Sequence, residues 1–309
     1  ADDIHEVERL AVGVEDTMYL DIQDRDDCLR VRRLVHECLT EREEEVIISR
    51  YGLGGRMPRT QREVAKKLGI PFISSTTTFA FNRFSAKVIG QNGAGFLQFL
   101  LAQPRINRQL KRLRAAGYAV KSVFDIIAND NETETVVYTS PDFQPCADTF
   151  SEKYHFVGPL LRPAQSSFEK LPGRSLIYIS LGTVNNDALP FYRACLAAFG
   201  GDPRFQLVLS AGTQADLAAF GPIPESCTVR ASVDQMAVLD CADVFLTHCG
   251  MNSASEGLWH GLPLVLYPQT PEQHGVANRV AALGAGVPLT DPSADGIRRA
   301  VKTALTDPA

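Results

Sequence analysis

An apolar strand runs directly into the start of a helix in the stretch Phe245-Leu246-Thr247-His248-Cys249-Gly250-Met251-Asn252-Ser253. The strand carries His248 to the edge of a sheet, and Gly250 allows the chain to turn tightly there. Asn252 and Ser253 then lie at the N-terminus of the helix, where the dipole and the free N–H groups favour an anion. The stretch therefore predicts a strand–turn–helix unit with an anion-binding end in an α/β fold.

Strands and helices alternate regularly on both sides of this stretch. The predicted strands are Leu176–Ser180, Gln206–Ser210, Cys227–Ala231, Val244–Thr247, Leu264–Tyr267 and Val287–Leu289. The predicted helices are Leu189–Phe199, Gln214–Phe220, Asp234–Leu239, Ser253–His260, Gln273–Leu283 and Ala294–Leu305. Alternation at this spacing predicts a Rossmann-like domain, with a parallel sheet covered by helices on both faces.

Ligands of an open parallel sheet bind beyond the carboxyl ends of its strands, and further polar residues follow such ends. Gly182 would let a phosphate approach the backbone, and the hydroxyl of Thr183 could donate to it. Glu256 lies one turn into its helix, where its carboxylate could accept hydrogen bonds from ribose hydroxyls. Glu272 and Gln273 suit sugar hydroxyls. Each of these residues alone is equally an ordinary turn, cap or surface residue, so the prediction depends on their combination.

The first 70 residues differ in composition from the rest of the chain. Charged residues make up 28 of them, or 40%, against 39 of the remaining 239, or 16%. Apolar residues recur at helical spacing from Asp24 to Leu39. Thr40 and Glu43 form a capping box that starts a second helix, and Thr60 caps a third. A separate, all-helical segment is therefore predicted at residues 1–70.

This segment resembles region 4 of bacterial sigma factors, the sporulation type in particular, at Leu39–Glu43, Arg50–Gly54 and Thr60–Ala65. In such domains a further helix follows and enters the major groove of DNA. Here Pro71 and the β-branched run after it disfavour a helix. The recognition helix is therefore predicted to be missing, and DNA binding is not expected. The resemblance leaves open a contact with RNA polymerase through residues 1–70.

From Pro71 onward the pattern is α/β. Short strands are predicted at Pro71–Ser75 and Thr135–Thr139, and helical periodicity runs through residues 96–117. A stretch with Pro, Ser and Gly but no periodicity then predicts a linker. The predicted boundaries are 71–161 for a truncated second Rossmann-like half, 162–174 for the linker and 175–309 for the large parallel-sheet domain.

The residues from His248 to Gln273 match the donor-site signature of family 1 glycosyltransferases, which have the GT-B fold, and closely resemble the bacterial macrolide glycosyltransferase group. The resemblance extends back to about Pro71. It implies diphosphate binding by Gly182, Thr183, His248, Gly250, Asn252 and Ser253, uridine and ribose binding by Val233, Gln235 and Glu256, and sugar binding by Glu272 and Gln273. Residues 175–309 would then be the nucleotide-sugar donor-binding domain, and residues 71–161 part of the acceptor side.

Two positions depart from the family pattern. Asp234 stands where the family has a proline, and Ser232 where it has an aromatic residue that would stack on the base. The lost stack lowers the expected affinity for uridine by about 0.5–1.5 kcal/mol.

The resemblance implies a hexosyltransferase that moves a sugar, with glucose as the first choice, from UDP-sugar to a small hydroxylated acceptor. UDP-sugar would be the co-substrate, without another cofactor. Transfer needs a general base near the acceptor, in this family a histidine after the first strand of the N-terminal half. That strand would precede Pro71, where the helical segment stands instead. The other histidines, which follow no strand in a Gly-rich loop, are His5, His36, His155, His260 and His274. The catalytic residue is thus unassigned.

Three functions stay open at this point. The chain is a UDP-dependent glycosyltransferase, a nucleotide-sugar binding protein without efficient transfer, or a transcription-related regulator that acts through residues 1–70. The junction at Ile70/Pro71 is a natural fusion or a product of recombination or assembly.

Bulk composition narrows the classes of protein to which this chain can belong. The net charge of −5 argues against general nucleic-acid binding. No apolar run reaches the roughly 18–20 residues of a membrane span, and the seven dispersed cysteines indicate reduced thiols and a cytoplasmic location. No Asp-x-Asp pair ends a strand, so no metal is expected.

Overall fold

The computed structural model describes residues 17–54, 56–89, 93–115, 120–121, 133–183 and 187–306. His5 and the last two residues of the helix predicted at 96–117 lie outside these ranges. The chain divides into two compact units, Ala1–Phe72 and Ile73–Ala309. The division falls two residues after the junction at which the composition changes.

The N-terminal unit is helical in its described part, as its sequence predicts. Its described helices are α1 (Thr17–Cys38), α2 (Glu41–Tyr51) and α3 (Gln61–Leu68). Thr40 and Thr60 each form a capping box, in which the threonine hydroxyl and a glutamate three residues later satisfy backbone N–H groups of the first turn. Gly52 and Gly69 end α2 and α3 in the left-handed conformation.

No helix follows α3 within residues 69–84, all of which the structure describes. Strand β1 (Ser74–Thr76) begins three residues later than the predicted Pro71. The reason is its partner strand, because the ladder starts where the N–H of Ser74 donates to the carbonyl of Glu134 at 2.9 Å. The expected absence of a helix after α3 agrees with the structure. The resemblance to sigma factors and the contact with RNA polymerase stay predictions.

A small parallel sheet forms the first part of the second unit. Strand β1 pairs with β2 (Thr135–Val137), which pairs with β3 (Tyr154–Phe156). Helices α4 (Ser85–Ile89) and α5 (Gly93–Ala115) connect β1 to β2 in sequence. This is the smaller α/β half that the sequence predicts, but β3 was not among the predicted strands.

A six-stranded parallel sheet forms the large half. Its strands are β4 (Ser175–Ser180), β5 (Phe205–Ser210), β6 (Cys227–Arg230), β7 (Val244–Thr247), β8 (Leu264–Leu266) and β9 (Gly286–Pro288). Their spatial order is β6-β5-β4-β7-β8-β9. The chain thus builds outward from β4 in one direction, then returns and builds outward from β7 in the other. This order is that of a doubly wound Rossmann sheet, whose ligand crevice lies at the reversal between β4 and β7.

Helices cover both faces of this sheet. They are α6 (Leu189–Phe199), α7 (Gln235–Leu239), α8 (Met251–Trp259), α9 (Pro271–Ala282) and α10 (Ala294–Thr306). Buried residues of α6 and α10 pack on one face, and those of α7, α8 and α9 pack on the other. The helix predicted at Gln214–Phe220 is wrong in its first half. Only a 3₁₀ turn at Leu217–Phe220 forms, started by the side chain of Asp216, which accepts the N–H of Ala218.

The two α/β halves of the second unit share a core. Phe79 and Phe143, from the segment of the small sheet, belong to the same buried cluster as Tyr178 and Phe245 of the large sheet. Arg279 of α9 donates from Nε to the carbonyl of Phe143 at 3.0 Å. The small half is therefore held against helix α9 of the large half by both apolar packing and hydrogen bonds.

Candidate functional site

The sheet reversal brings together the two strand ends at which the sequence predicts the anion-binding residues. Strands β4 and β7 are direct neighbours, with Ser180 opposite Thr247 at their carboxyl ends. Gly182 and Thr183 follow β4, and His248 follows β7. Residues 65 and 66 positions apart in the sequence therefore lie on adjacent strand ends, at the point where a doubly wound sheet binds its ligand.

The imidazole of His248 lies between two glycines. A Cβ at Gly182 would stand 2.7 Å from Cε1 and Nε2 of His248, and one at Gly250 would stand 2.6 Å from Nε2. Either side chain would overlap the ring, so both glycines make room for it. The role expected for Gly250 as the turn residue is wrong, because its φ is −62°. Cys249 takes the left-handed conformation of this turn, with φ of +64°.

One ring nitrogen of His248 lacks a hydrogen-bond partner among the described residues. Its Nδ1 is buried and has no hydrogen-bond partner of acceptable geometry among the described residues. Burial lowers the pKa of His248 below its usual 6.5, although the Ser180 backbone and the charge of Glu272 act in the opposite direction. The imidazole is therefore neutral near pH 7 and can still donate one hydrogen bond.

The first turn of α8 faces the same strand ends. Its N-cap residue, Gly250, has no side chain that could cap the turn. Asn252 and Ser253 are the second and third residues of the helix, and Asn252 is exposed. A helix start with uncapped N–H groups carries a partial positive charge, which makes it suitable for a phosphate.

A buried polar network lies beside this turn. The hydroxyl of Tyr178, on β4, donates to Oε1 of Gln235 at 3.0 Å. The amide nitrogen of Gln235 donates to the carboxylate of Glu256 and lies 3.4 Å from the hydroxyl of Ser253. Glu256 is only 5% exposed. The structure thus joins Gln235 and Glu256, the two side chains expected at the ribose, in one hydrogen-bonded group.

Tyr178 was not among the predicted site residues. Its ring stacks on Phe245 at 4.8 Å, and burial raises the pKa of its hydroxyl. A tyrosine in the middle of a buried strand needs a polar partner for its hydroxyl, and that requirement was the available signal. Val233, predicted at the uridine, is half-buried and packs its side chain against the core.

The two residues predicted at the sugar begin α9. Gln273 forms a capping box with Thr270: its Oε1 accepts the N–H groups of Gln269 at 2.8 Å and Thr270 at 3.1 Å. Its amide NH₂ faces no such constraint and can donate. Glu272 is exposed, and its charge acts on His248. The start of α9 therefore lies within electrostatic reach of His248.

The described histidines other than His248 have local partners. His36 pairs with Glu44 at 3.0 Å, His155 with Glu134 at 2.8 Å and His260 with Asp240 at 3.0 Å, while Nδ1 of His274 lies 2.9 Å from the carbonyl of Thr270. The catalytic residue stays unassigned.

Comparison with known proteins agrees with this geometry. Residues 229–309, which include β7, α8 and α9, match the family described as UDP-glucoronosyl and UDP-glucosyl transferase. This part of the chain is therefore similar to a UDP-glycosyltransferase domain. The matched residues of this domain include Gln235, His248, Asn252, Glu256 and Gln273.

Similarity to glycosyltransferases extends over most of the chain. The chain is 33% identical over 262 residues to the uncharacterized UDP-glucosyltransferase YojK of Bacillus subtilis. This alignment covers 82% of this chain and 62% of that protein. It is 34% identical over 254 residues to the NDP-glycosyltransferase YjiC of Bacillus licheniformis, covering 79% and 61%. The crystal structure of the glycotransferase of kitacinnamycin superposes with a TM-score of 0.63 at 31% identity, covering 80% of this chain and 65% of that one.

The fold is thus that of GT-B glycosyltransferases. The chain spans about three fifths of the length of the curated relatives it matches. None of the described helices combines the length and the apolarity that a membrane span requires.

Proposed function

We propose that this chain binds a UDP-sugar in the crevice between β4 and β7 and transfers its hexose, glucose in the first instance, to a small hydroxylated acceptor. The observation that carries the proposal is the arrangement around His248. A half-buried imidazole with a buried, unpartnered nitrogen stands beside an uncapped helix start, and a buried carboxylate lies one turn further along that helix. The similarity to UDP-glycosyltransferases supports the same ligand.

The diphosphate is assigned to the strand ends and the start of α8. There the N–H groups of the helix, the side chains of Asn252 and Ser253 and the hydroxyl of Thr183 donate to phosphate oxygens. His248 donates as a neutral imidazole, and Gly182 and Gly250 leave room for its ring. This set supplies positive potential without a cation, so we propose that binding does not need a metal. Undiminished UDP affinity in excess EDTA would support that part of the proposal.

The nucleoside and the sugar are assigned to the two flanking groups. Glu256 and Gln235 take the ribose and the uracil, where the ligand replaces the bond that these side chains now make with each other. Glu272 and the amide NH₂ of Gln273 take the sugar hydroxyls. The unpaired thiols of the six described free cysteines support a reducing compartment, and we propose the cytoplasm.

Calorimetry with UDP tests the donor site. The wild-type chain should bind saturably, and His248→Ala should raise the Kd by about tenfold or more, the value of one good hydrogen bond to a charged group. His155→Ala, on the small sheet, is the matched control and should leave the Kd unchanged. Equal affinity of wild type and His248→Ala would contradict the assigned site.

Turnover of UDP-glucose separates an enzyme from a binder. Incubation with a panel of phenols and alcohols should release UDP and give a glucosylated product. Saturable UDP binding without release or product would show a nucleotide-sugar binding protein instead, the alternative that the unassigned general base leaves in place.

A further inference from the structure

The segment predicted as a linker is attached to the donor half along its length. Phe168 of the linker packs against the buried cluster that contains Tyr178 and Phe245, as does Leu161 directly before the linker. Lys170 forms an ion pair with Asp243 at 2.5 Å, which also accepts the N–H of Leu176 at 2.6 Å. The linker therefore has defined contacts with the domain that it enters.

The upstream end of this attachment is a single carboxylate, that of Asp234. One oxygen of Asp234 accepts the N–H of Gln165 at 2.6 Å, the N–H of Ser166 at 2.8 Å and the hydroxyl of Ser166 at 3.1 Å. The other oxygen caps α7 by accepting the N–H of Ala237. Burial raises the pKa of Asp234, but the hydrogen bonds from Gln165 and Ser166 outweigh it, so the pKa lies below its usual value and the group is ionised near pH 7.

The residue next to this carboxylate is Gln235, which has the central place in the buried network of the site. Its side chain contacts Tyr178, Ser253 and Glu256. Asp234 and Gln235 form the N-cap and the first residue of α7, so they move together. The carboxylate of Asp234 binds the linker at the start of this helix. It thereby also fixes the backbone of Gln235, the residue assigned to the nucleoside.

We propose that Asp234 is a positioning residue, which couples the linker segment Gln165–Ser166 to nucleotide binding by holding Gln235 in its binding position. The proposal rests on the proposed UDP-sugar site. Coupling of this kind is reciprocal: the fastened linker favours UDP binding, and bound UDP favours the fastened linker. The attachment is specific to an acceptor-only side chain, because three donors converge on one oxygen.

Proline tests the coupling while keeping the backbone conformation at the start of α7, although it also removes the side-chain cap on the N–H of Ala237. The φ of Asp234 is −71°, which is within the range of proline. Asp234→Pro and Asp234→Ala both remove the three hydrogen bonds from the linker. Asp216→Ala is the matched control, because Asp216 also caps a helical turn, through the N–H of Ala218 at 3.0 Å, but has no contact with the linker among the described residues.

Calorimetry with UDP is the first measurement. Asp234→Ala and Asp234→Pro should each raise the Kd by about three- to tenfold, and Asp216→Ala should not change it. If wild type binds UDP and both Asp234 variants bind it equally well, the coupling is refuted while the donor site stands. If wild type itself does not bind, the proposed function fails first, and the coupling with it.

Hydrogen exchange at residues 163–168 is the second measurement, and a merely structural role of Asp234 would not affect it in the same way. In wild type, saturating UDP should slow exchange at the amides of Gln165 and Ser166. In Asp234→Ala these amides should exchange faster and should no longer respond to UDP. A UDP response that persists in the variant would overturn the proposal.

Discussion

His248 is the residue on which the assigned chemistry most depends, and its titration gives a test. Burial holds its pKa below 6.5 in the free protein, and a bound diphosphate should raise it, because the anion favours imidazolium. Binding then takes up a proton, and the affinity should rise as pH falls toward the pKa of the free protein. UDP-glucose is the suitable ligand, since its esterified phosphates do not titrate near neutral pH.

We expect the Kd for UDP-glucose to be about threefold or more lower at pH 6 than at pH 8. His248→Gln should bind more weakly and lose most of this dependence. Calorimetry in two buffers of different ionisation enthalpy measures the proton uptake directly. An equal pH dependence in wild type and His248→Gln would assign the titration to another group.

Tyr192 gives a second prediction at the same scale. It is 1% exposed, its ring stacks on Phe220, and its hydroxyl has no hydrogen-bond partner in the described part of the chain. Because a buried unpaired hydroxyl costs roughly 1–3 kcal/mol, Tyr192→Phe should leave the free energy of unfolding unchanged or raise it by up to about 1 kcal/mol. Tyr178→Phe is the matched substitution. It should lower the free energy of unfolding by a similar amount, because the hydroxyl that donates to Gln235 is lost. Denaturant unfolding of both variants checks the contrast.

Among the elements, α2 and α3 of the N-terminal unit are joined by one carboxylate. Glu45 of α2 forms ion pairs with Lys67 of α3 and with Arg56, the latter at 3.0 Å. Hydrogen bonds from Lys67, Arg56 and Ser49 lower the pKa of Glu45 to about 2. A depressed carboxyl pKa stabilises the fold above the unfolded value of about 4.3, and this stabilisation disappears as pH falls from there to about 2.

Glu45→Gln should therefore speed hydrogen exchange of α2 and α3 at pH 7, and its difference from wild type should shrink at pH 3. Exchange measured by mass spectrometry on the intact chain follows these helices separately. Glu41→Gln, at the exposed start of α2, serves as the control and should have little effect. Persistence of the full difference at pH 3 would show that ionisation of Glu45 is not its cause.

At the scale of the second unit, the small half depends on its packing against the large half. Phe143 is 7% exposed, and its ring lies 5.4 Å from that of Phe79 within the shared core. Phe143→Ala should cost about 3–5 kcal/mol and lower the melting temperature by roughly 10 °C. Phe84→Ala removes a 42% exposed ring of the same half and should change the melting temperature little. Calorimetric melting compares the two, and similar small shifts would show that the halves are held together elsewhere.

Local sequence determined the elements of this protein. The six strands of the large sheet were predicted within about one residue of their observed bounds, because apolar periodicity and turn residues act over a few positions. The capping boxes at Thr40 and Thr60 follow from two residues each. The start of α9 at Pro271 was missed although Thr270 and Gln273 carry the same signal. The residue types of the site from His248 to Gln273 were likewise readable, since the signature is contiguous.

Tertiary structure alone decided which of these elements meet. The order of β4 and β7 places Gly182 against His248, and no local propensity specifies that pairing. The same holds for the hydrogen bond from the Tyr178 hydroxyl to Gln235. It also holds for the hydrogen bonds from the linker to Asp234, which lies 69 positions from Gln165 and 68 from Ser166. Such contacts depend on how whole strands and helices pack. In the sequence, Asp234 is only a departure from a family pattern, and it becomes the attachment point of the linker because the fold brings the linker next to it.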